Sequence, residues 1–327
     1  LQYTAQQTLD YAQALYEKKL ATYPRTDSRY LTSHMADGVQ ALADTVMNAL
    51  PFSCDGSSPC NASQVVDDSK VSDHHAMIPT VGVNNATLME LPAGERSILT
   101  LLMARLLCAV ASPCHVTETI ATLECNGVIF TAKGRQVTNL GWKAIHKAYL
   151  ATLKDTPADA SDGVALQALP ALNDQLTFLP VGASVKEGRT SPPKSYTEAT
   201  MLFAMETAGA EDMPDDAERK GLGTPATRAG MIEKLVKVGL IERKRGKKGC
   251  VLLPTQKGTS LITILPEELQ SPQLTAEWEQ KLKRMERGEI APDDFIRDIA
   301  EMVRTLTQDS HPVPEGGVLF ADTRKSI

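Results

Sequence analysis

The chain has 327 residues, 42% of them hydrophobic, enough for two or three domains with buried cores. Its 40 acidic residues outnumber its 34 lysines and arginines, and the formal net charge of −6 excludes a nonspecific polycationic binder. Any contact with a polyanion must then come from a local basic patch.

The elements follow in order. Residues 7–20 read as a helix with Thr8 as N-cap and Leu9, Ala12, Leu15 and Tyr16 on one face. Pro24 then forces an extended backbone at Tyr23. A second helix is expected over 33–50, and 51–70 is polar and loop-like. Residues 93–111 form a third helix. Its apolar stretch, 98–110, is too short to span a bilayer and carries Arg105 in its middle, so it reads as buried. After Pro113 the pattern alternates with period two, Asn126-Gly127 marks a hairpin turn, and 128–131 return as a strand. A short helix begins at Gly141-Trp142. Residues 154–163 are a small-residue loop, and 176–185 read as another strand. From Ser191 the chain is helical again, with one helix over 198–208. A further helix has Thr224 as N-cap, Pro225 at its first position, Met231, Ile232, Leu235 and Val236 on its apolar face, and Gly239 as its stop. Two strands, 240–243 and 250–253, flank a basic tip, and the chain from about 308 reads as a tail. It opens on Leu1 rather than Met, as expected of a piece of a longer protein.

Six cysteines include no C-x-x-C pair, and Cys54 and Cys60 have poor zinc-ligand spacing. They read as free thiols of a reducing cytosol, with a Cys54–Cys60 disulfide as the alternative.

The run Leu20-Ala21-Thr22-Tyr23-Pro24-Arg25-Thr26-Asp27-Ser28 places a phenol two residues from a guanidinium. A phenol is a poor nucleophile at neutral pH, its pKa being about 10. A permanent cation beside it favours the phenolate and stabilises charge building on a phosphoryl group. Arg suits that task because its planar fork matches phosphate. The run reads as a covalent phosphoryl-transfer site, or else as a surface turn with a half-buried Tyr. His74 beside His75 suggests a metal ligand, but no third ligand has suitable spacing, and a structural histidine is the other reading. Residues 219–257 hold eleven Lys or Arg against Glu233 and Glu242 alone, an electrostatic footprint for a polyanion or a solvated basic loop.

The first run, extended from Leu15-Tyr16-Glu17 through Tyr30-Leu31, resembles the active-site segment of type IA DNA topoisomerases of the bacterial topoisomerase III type. Three further segments match in the same order: Ser72-Asp73-His74-His75-Ala76-Met77-Ile78-Pro79-Thr80, Pro192-Pro193-Lys194-Ser195-Tyr196-Thr197-Glu198-Ala199-Thr200, and Gly221-Leu222-Gly223-Thr224-Pro225-Ala226-Thr227-Arg228-Ala229. Leu274-Thr275-Ala276-Glu277-Trp278-Glu279 is a weaker fifth.

The resemblance implies a multidomain α+β fold. It would comprise a mostly helical Tyr-bearing domain over 1–113, a β-rich arch segment over 114–187, a helical domain for single-stranded DNA over 188–307, and a tail or linker over 308–327. It implies ATP-independent cleavage of one DNA strand through a 5′-phosphotyrosine, strand passage and resealing. Tyr23 would be the nucleophile and Arg25 would hold the nonbridging oxygens. Thr22 and Asp27 would shape the site, and His74 would bond the DNA backbone. Lys194, Thr224, Thr227 and Arg228 would lie along single-stranded DNA, while Glu198 supports the fold. Magnesium is implied too, with ligands in the family's N-terminal Toprim domain. Only about 22 residues precede Tyr23 and they contain no acidic triad, so that domain is expected to be missing from this chain, which would be either a fragment of a full enzyme or a natural truncation whose missing domain acts in trans. The expected location is a bacterial cytoplasm, on the nucleoid. Two rivals are a noncatalytic single-stranded-DNA-binding remnant and a winged-helix regulator. The latter explains neither the Tyr23 run nor the His74 segment.

Overall fold

The computed structural model describes residues 1–54, 60–153, 169, 182, 184–209, 221–246 and 249–308. The chain divides into two compact units, one of Leu1 and Asp10–Pro192, the other of Gln2–Leu9 and Pro193–Ile327. Sequence had placed boundaries at 113/114 and 187/188.

Helix α1, Ala5–Glu17, contributes residues to both units. Its cap is Thr4 rather than Thr8. The Gln7 N–H donates to Thr4 Oγ1 at 3.1 Å, and the Thr4 N–H donates to Gln7 Oε1 at 3.0 Å. This reciprocal box satisfies two donors, which Thr8 cannot do because residue 11 is tyrosine. Thr8 lies inside the helix, its hydroxyl donating to Thr4 O at 2.9 Å.

In the first unit, 33–50 is a short 3-10 turn, Ser33–Met35, running into helix α2, Ala36–Asn48. A short helix α3, Asn85–Glu90, was not expected; a capping box between Asn84 and Thr87 starts it. Helix α4, Ala93–Val110, is the core element, with Ile98, Leu99, Met103, Leu106, Leu107 and Val110 buried while Arg105 reaches solvent. Helix α2 packs on it through its apolar face of Val39, Leu42 and Val46, and helix α5, Trp142–Ala151, packs on it as well, burying Ile145 and Tyr149.

Strands β1, His115–Cys125, and β2, Val128–Asn139, form an antiparallel hairpin. Asn126 and Gly127 both have positive φ, as a two-residue turn matched to strand twist requires. Strand β2 runs eight residues past the expected 131. Its alternation is hidden because Ala132 and Gly134 occupy one face, and small residues carry little hydropathy signal. The loop expected at 154–163 lies outside the described residues, as does most of the strand expected at 176–185.

In the second unit, helix α6, Glu198–Thr207, begins with a Thr197–Thr200 capping box. Helix α7, Arg228–Lys237, starts three residues later than the Thr224-Pro225 signal suggests. Residues 224–227 make a turn instead, with the Thr227 and Arg228 N–H groups donating to Thr224 O at 2.9 and 3.1 Å. Strands β3, Ile241–Gly246, and β4, Gly249–Pro254, form the expected basic-tipped hairpin. Four helices follow that sequence reading left undefined: α8, Gln256–Ile264; α9, Glu267–Gln270; α10, Gln273–Glu286; and α11, Pro292–Gln308. The core of this unit holds Ala229, Ile232, Leu252, Ser260 and Ala276. The tail lies outside the described residues. No helix among those described is long and apolar enough to cross a membrane.

Gly141 joins β2 to α5 at φ 49°, ψ −134°, a conformation that favours glycine, and a Cβ there would lie 2.3 Å from Pro113 O. It would also lie 2.4 Å from Ser112 O, so both obstacles are backbone. Gly141→Ala should therefore destabilise the first unit by about 1–3 kcal/mol or more, read as a lowered urea midpoint.

Candidate nucleic-acid cleavage site

After α1 the chain turns through Lys19, at φ 60°, and the Leu20 N–H donates to Leu15 O at 2.9 Å. It then pairs with the segment after His74. Ala21 bridges Pro79 antiparallel. The Thr22 N–H donates to Ile78 O, and the Ile78 N–H returns to Thr22 Oγ1, each at 2.9 Å. The Thr80 N–H donates to Leu20 O at 3.1 Å, while its hydroxyl donates to Lys19 O at 2.6 Å. Ala21, Ile78 and Pro79 are buried, so this short ladder is shielded from water.

The ladder sets Tyr23 beside His74. Their ring centroids are 4.4 Å apart with planes tilted by 46°. On α1, Tyr16 meets the Tyr23 ring edge-on at 5.4 Å. Aromatic rings prefer such edge-on contacts because the positive rim of one faces the negative face of another. Tyr23 is half-buried, whereas His74, Arg25 and Asp27 are exposed. A half-buried ring with its flank open suits a group that is held yet must meet a large substrate.

Further bonds hold the loop after Tyr23. The Thr26 hydroxyl donates to His74 O at 2.9 Å, and the Ala76 N–H donates to Tyr30 O at 2.8 Å. The Ser28 hydroxyl donates to Lys70 O at 2.8 Å. The Lys70 ammonium lies 4.4 Å from the Tyr30 ring centroid and 2.9 Å from Asp67. Sequence reading missed Tyr16 and Thr80 as parts of this arrangement. Both stand inside the matched segments, but only pairing reveals what they touch.

The remaining site residues lie in the second unit. Lys194 is exposed in an extended stretch before α6, and Thr224 and Thr227 bond each other at the entry to α7. Arg228 turns inward instead: it is only 8% exposed, with Nε donating to Leu222 O at 3.1 Å and Nη2 to Gly223 O at 3.2 Å. In this geometry it fastens the glycine loop, whose Gly221 and Gly223 both have positive φ. Of the basic cluster, Lys234, Lys237, Lys244 and Arg245 are exposed. Lys257 donates to Val238 O at 2.9 Å, and Arg243 is paired internally with Glu198 and Glu233. Arg219, Lys220, Lys247 and Lys248 lie outside the described residues.

Among the described residues, no three His, Cys, Asp or Glu side chains come together to hold a metal ion. All six cysteines are free thiols, and burial pushes Cys108 up to about 11, far from a reactive thiolate.

Two consequences can be measured. Arg228→Ala leaves the Leu222 and Gly223 carbonyls short of a donor, which should cost about 1–3 kcal/mol in the second unit. Thermal unfolding monitored in the presence and absence of DNA separates this loss from any loss of binding. The Asp67 carboxyl is held below its usual range by the Ser69 hydrogen bond and then by Lys70, and Asp68 likewise by Ser33. A depressed folded-state pKa contributes stability that is complete above the unfolded value and is lost as pH falls through the folded one. Residues 60–70 should thus loosen below about pH 4 while α4 holds, as amide exchange across an acid series would register.

The family profile described as DNA topoisomerase matches residues 1–297. A DNA topoisomerase 3 of Bacillus subtilis is 39% identical over 91% of this chain and 41% of its own length. One from Bacillus licheniformis is 37% identical over 94% of this chain and 42% of its own length. The chain thus spans about two fifths of the relatives it matches. Among solved structures, a full-length topoisomerase I from Thermotoga maritima aligns with a TM-score of 0.63 at 22% identity, covering 96% of this chain and 48% of that one; this likeness bears on the fold, which is the expected multidomain α+β. With five matching segments in order, and a family profile covering most of its length, this chain belongs to the DNA topoisomerase family.

Proposed function

We propose that this chain is the nucleophile-bearing and strand-binding portion of a type IA topoisomerase. The phenolic oxygen of Tyr23 attacks a backbone phosphorus, and its proton passes to solvent or a base. The bond from phosphorus to the 3′ oxygen breaks, and that oxygen takes up a proton. The product is a 5′-phosphotyrosine and a free 3′ hydroxyl. Resealing is the reverse attack by that hydroxyl. One phosphodiester replaces another, so the cycle needs no ATP. Arg25 holds the nonbridging oxygens as charge builds, and His74 packs the Tyr23 ring and bonds the DNA backbone. Thr22 fixes the backbone beneath the nucleophile, and Asp27 shapes the loop. Magnesium and the acid for the leaving 3′ oxygen are assigned to the family's Toprim domain, in the same polypeptide or in trans. The location would be the bacterial cytoplasm. The observation that carries this reading is the Tyr23–His74 contact, because two segments about fifty residues apart in sequence meet at the Tyr23 ring.

Single-stranded DNA would run over the second unit, past Lys194 and Thr224, with Lys234, Lys237, Lys244 and Arg245 supplying phosphate contacts. Helix N-termini such as that of α7 favour anions through their free amides. Thr227 and Arg228 shape that entry.

The chain should bind single-stranded DNA more tightly than blunt duplex, with affinity falling steeply with salt. Changing Lys237 or Lys244 to Ala should weaken binding on all sequences alike and shrink the log–log salt slope by about 0.7 each. Salt-independent binding would rule the patch out. In an enzyme that carries the remaining domains, Tyr23→Phe should abolish the denaturant-trapped covalent adduct while leaving noncovalent affinity nearly intact, because only the nucleophilic oxygen is gone. Arg25→Lys should slow adduct formation by more than its retained charge suggests, since an ammonium cannot reproduce the fork. A Tyr23→Phe enzyme that still carries a 5′-phosphate adduct would remove Tyr23 from the mechanism.

A further inference from the structure

Glu198, the first residue of α6, is enclosed, its side chain 12% exposed, and has no part in the chemistry above. Its Oε1 accepts from Arg243 Nε at 2.6 Å, and its Oε2 accepts from the Ala5 backbone N–H at 2.5 Å. The far side of the same guanidinium forks onto Glu233, with Nη1 donating to Oε2 at 3.1 Å and Nη2 donating to Oε1. These bonds, the Glu233 hydrogen bond foremost, hold Arg243 well above its already high pKa, so its charge is committed inside the unit.

Two carboxylates against one guanidinium leave an excess negative charge. That charge lies where two helices start. Ala5 opens α1 and Glu198 opens α6, and the amides of a first turn have no partner within their own helix. The partial positive ends of both helices compensate the surplus carboxylate. Four elements, α1, α6, α7 and β3, are thus joined through the Glu198–Arg243 pair, α1 by Glu198 and α7 by Arg243.

We propose that Glu198 is a positioning residue, an ionic latch that clamps the first turn of α1 to α6 and β3. The segment Gln2–Leu9 is held in the second unit through this carboxylate. Its relevance to cleavage rests on the reading above, because α1 is the helix from which the chain passes to Tyr23. The latch itself does not depend on that reading.

The test is amide exchange, resolved by peptide, on the full 327-residue chain and its Glu198→Gln variant. Glutamine keeps the shape but loses the charge and one of two acceptors. Exchange over residues 2–9 should accelerate about tenfold or more, with α10 and α4 unchanged. Glu233→Gln spares the Ala5 contact and should accelerate residues 2–9 far less than residues 241–246. Unchanged protection of 2–9 in Glu198→Gln would overturn the latch. So would equal acceleration of α10 and 2–9, which would make Glu198 a general stability residue. Single-stranded DNA affinity measured on the same proteins tests the strand-binding proposal separately: loss of binding by wild type would defeat that proposal and leave the latch standing.

Discussion

The two-way hydrogen bond between Thr22 and Ile78 is the constraint on which the geometry around Tyr23 depends. Thr22 uses its backbone as donor and its hydroxyl as acceptor toward the same residue. A valine of the same shape would make only the first bond and leave the Ile78 N–H without its acceptor among buried neighbours. With the Thr80 N–H and hydroxyl both donating, to Leu20 O and Lys19 O, a few residues suffice to join distant segments without a sheet. Irregular backbone can be well fixed when side-chain hydroxyls complete what a missing strand neighbour would provide. The Tyr23 ring then inherits its position from backbone bonds on one side and from the Tyr16 and His74 rings on the others.

Charge in the second unit is sorted into two kinds. Arg228 and Arg243 face inward, where their forks satisfy fixed carbonyls and carboxylates. Lysines 234, 237 and 244 face outward on flexible stems. Both inward groups are guanidiniums, although Arg245 faces outward with the lysines. A planar guanidinium loses less on burial because several donors can be satisfied at once, whereas an ammonium is more strongly hydrated and stays in water. Part of the cationic charge of the 219–257 stretch thereby serves the fold, and part faces outward on one hairpin and one helix.

What could be read from the sequence follows from how local each signal is. The buried helix α4, the Asn126-Gly127 turn and the basic hairpin announce themselves over a few residues. The cap of α1 was misplaced by one turn because two threonines compete for it, and the winner is decided by Gln7 reaching back. Helix α7 began late because Thr224 closes a tight turn before the regular helix. Within the candidate site, the motif residues stood out in the sequence and the contacts between them did not. Nothing local to Thr80 says that its partners are Lys19 and Leu20, far back along the chain, and nothing local to Tyr16 says that it meets Tyr23 beyond the end of α1. The inward turn of Arg228 was likewise hidden, since a basic residue at a helix start reads equally well as a ligand contact or as a loop fastener.

Under the proposed reaction, the geometry around Tyr23 answers a particular chemical demand. Exchanging a phosphodiester for a phosphotyrosine changes bond energy little, so the site needs no large driving force, only placement and charge. Placement is worth much: a correctly aimed nucleophile replaces a bimolecular encounter with an effectively unimolecular step. A phenol on a free loop would lose that advantage at every thermal excursion, and a phenol buried in a helix could not reach a phosphate. Tyr23 avoids both. Its backbone neighbours are pinned by Thr22 and Thr80, its ring is braced by two others, and Pro24 removes one degree of freedom at the next residue. Arg25, exposed two residues on, can then meet the phosphate without giving up an internal role, unlike the buried arginine of the second unit's glycine loop.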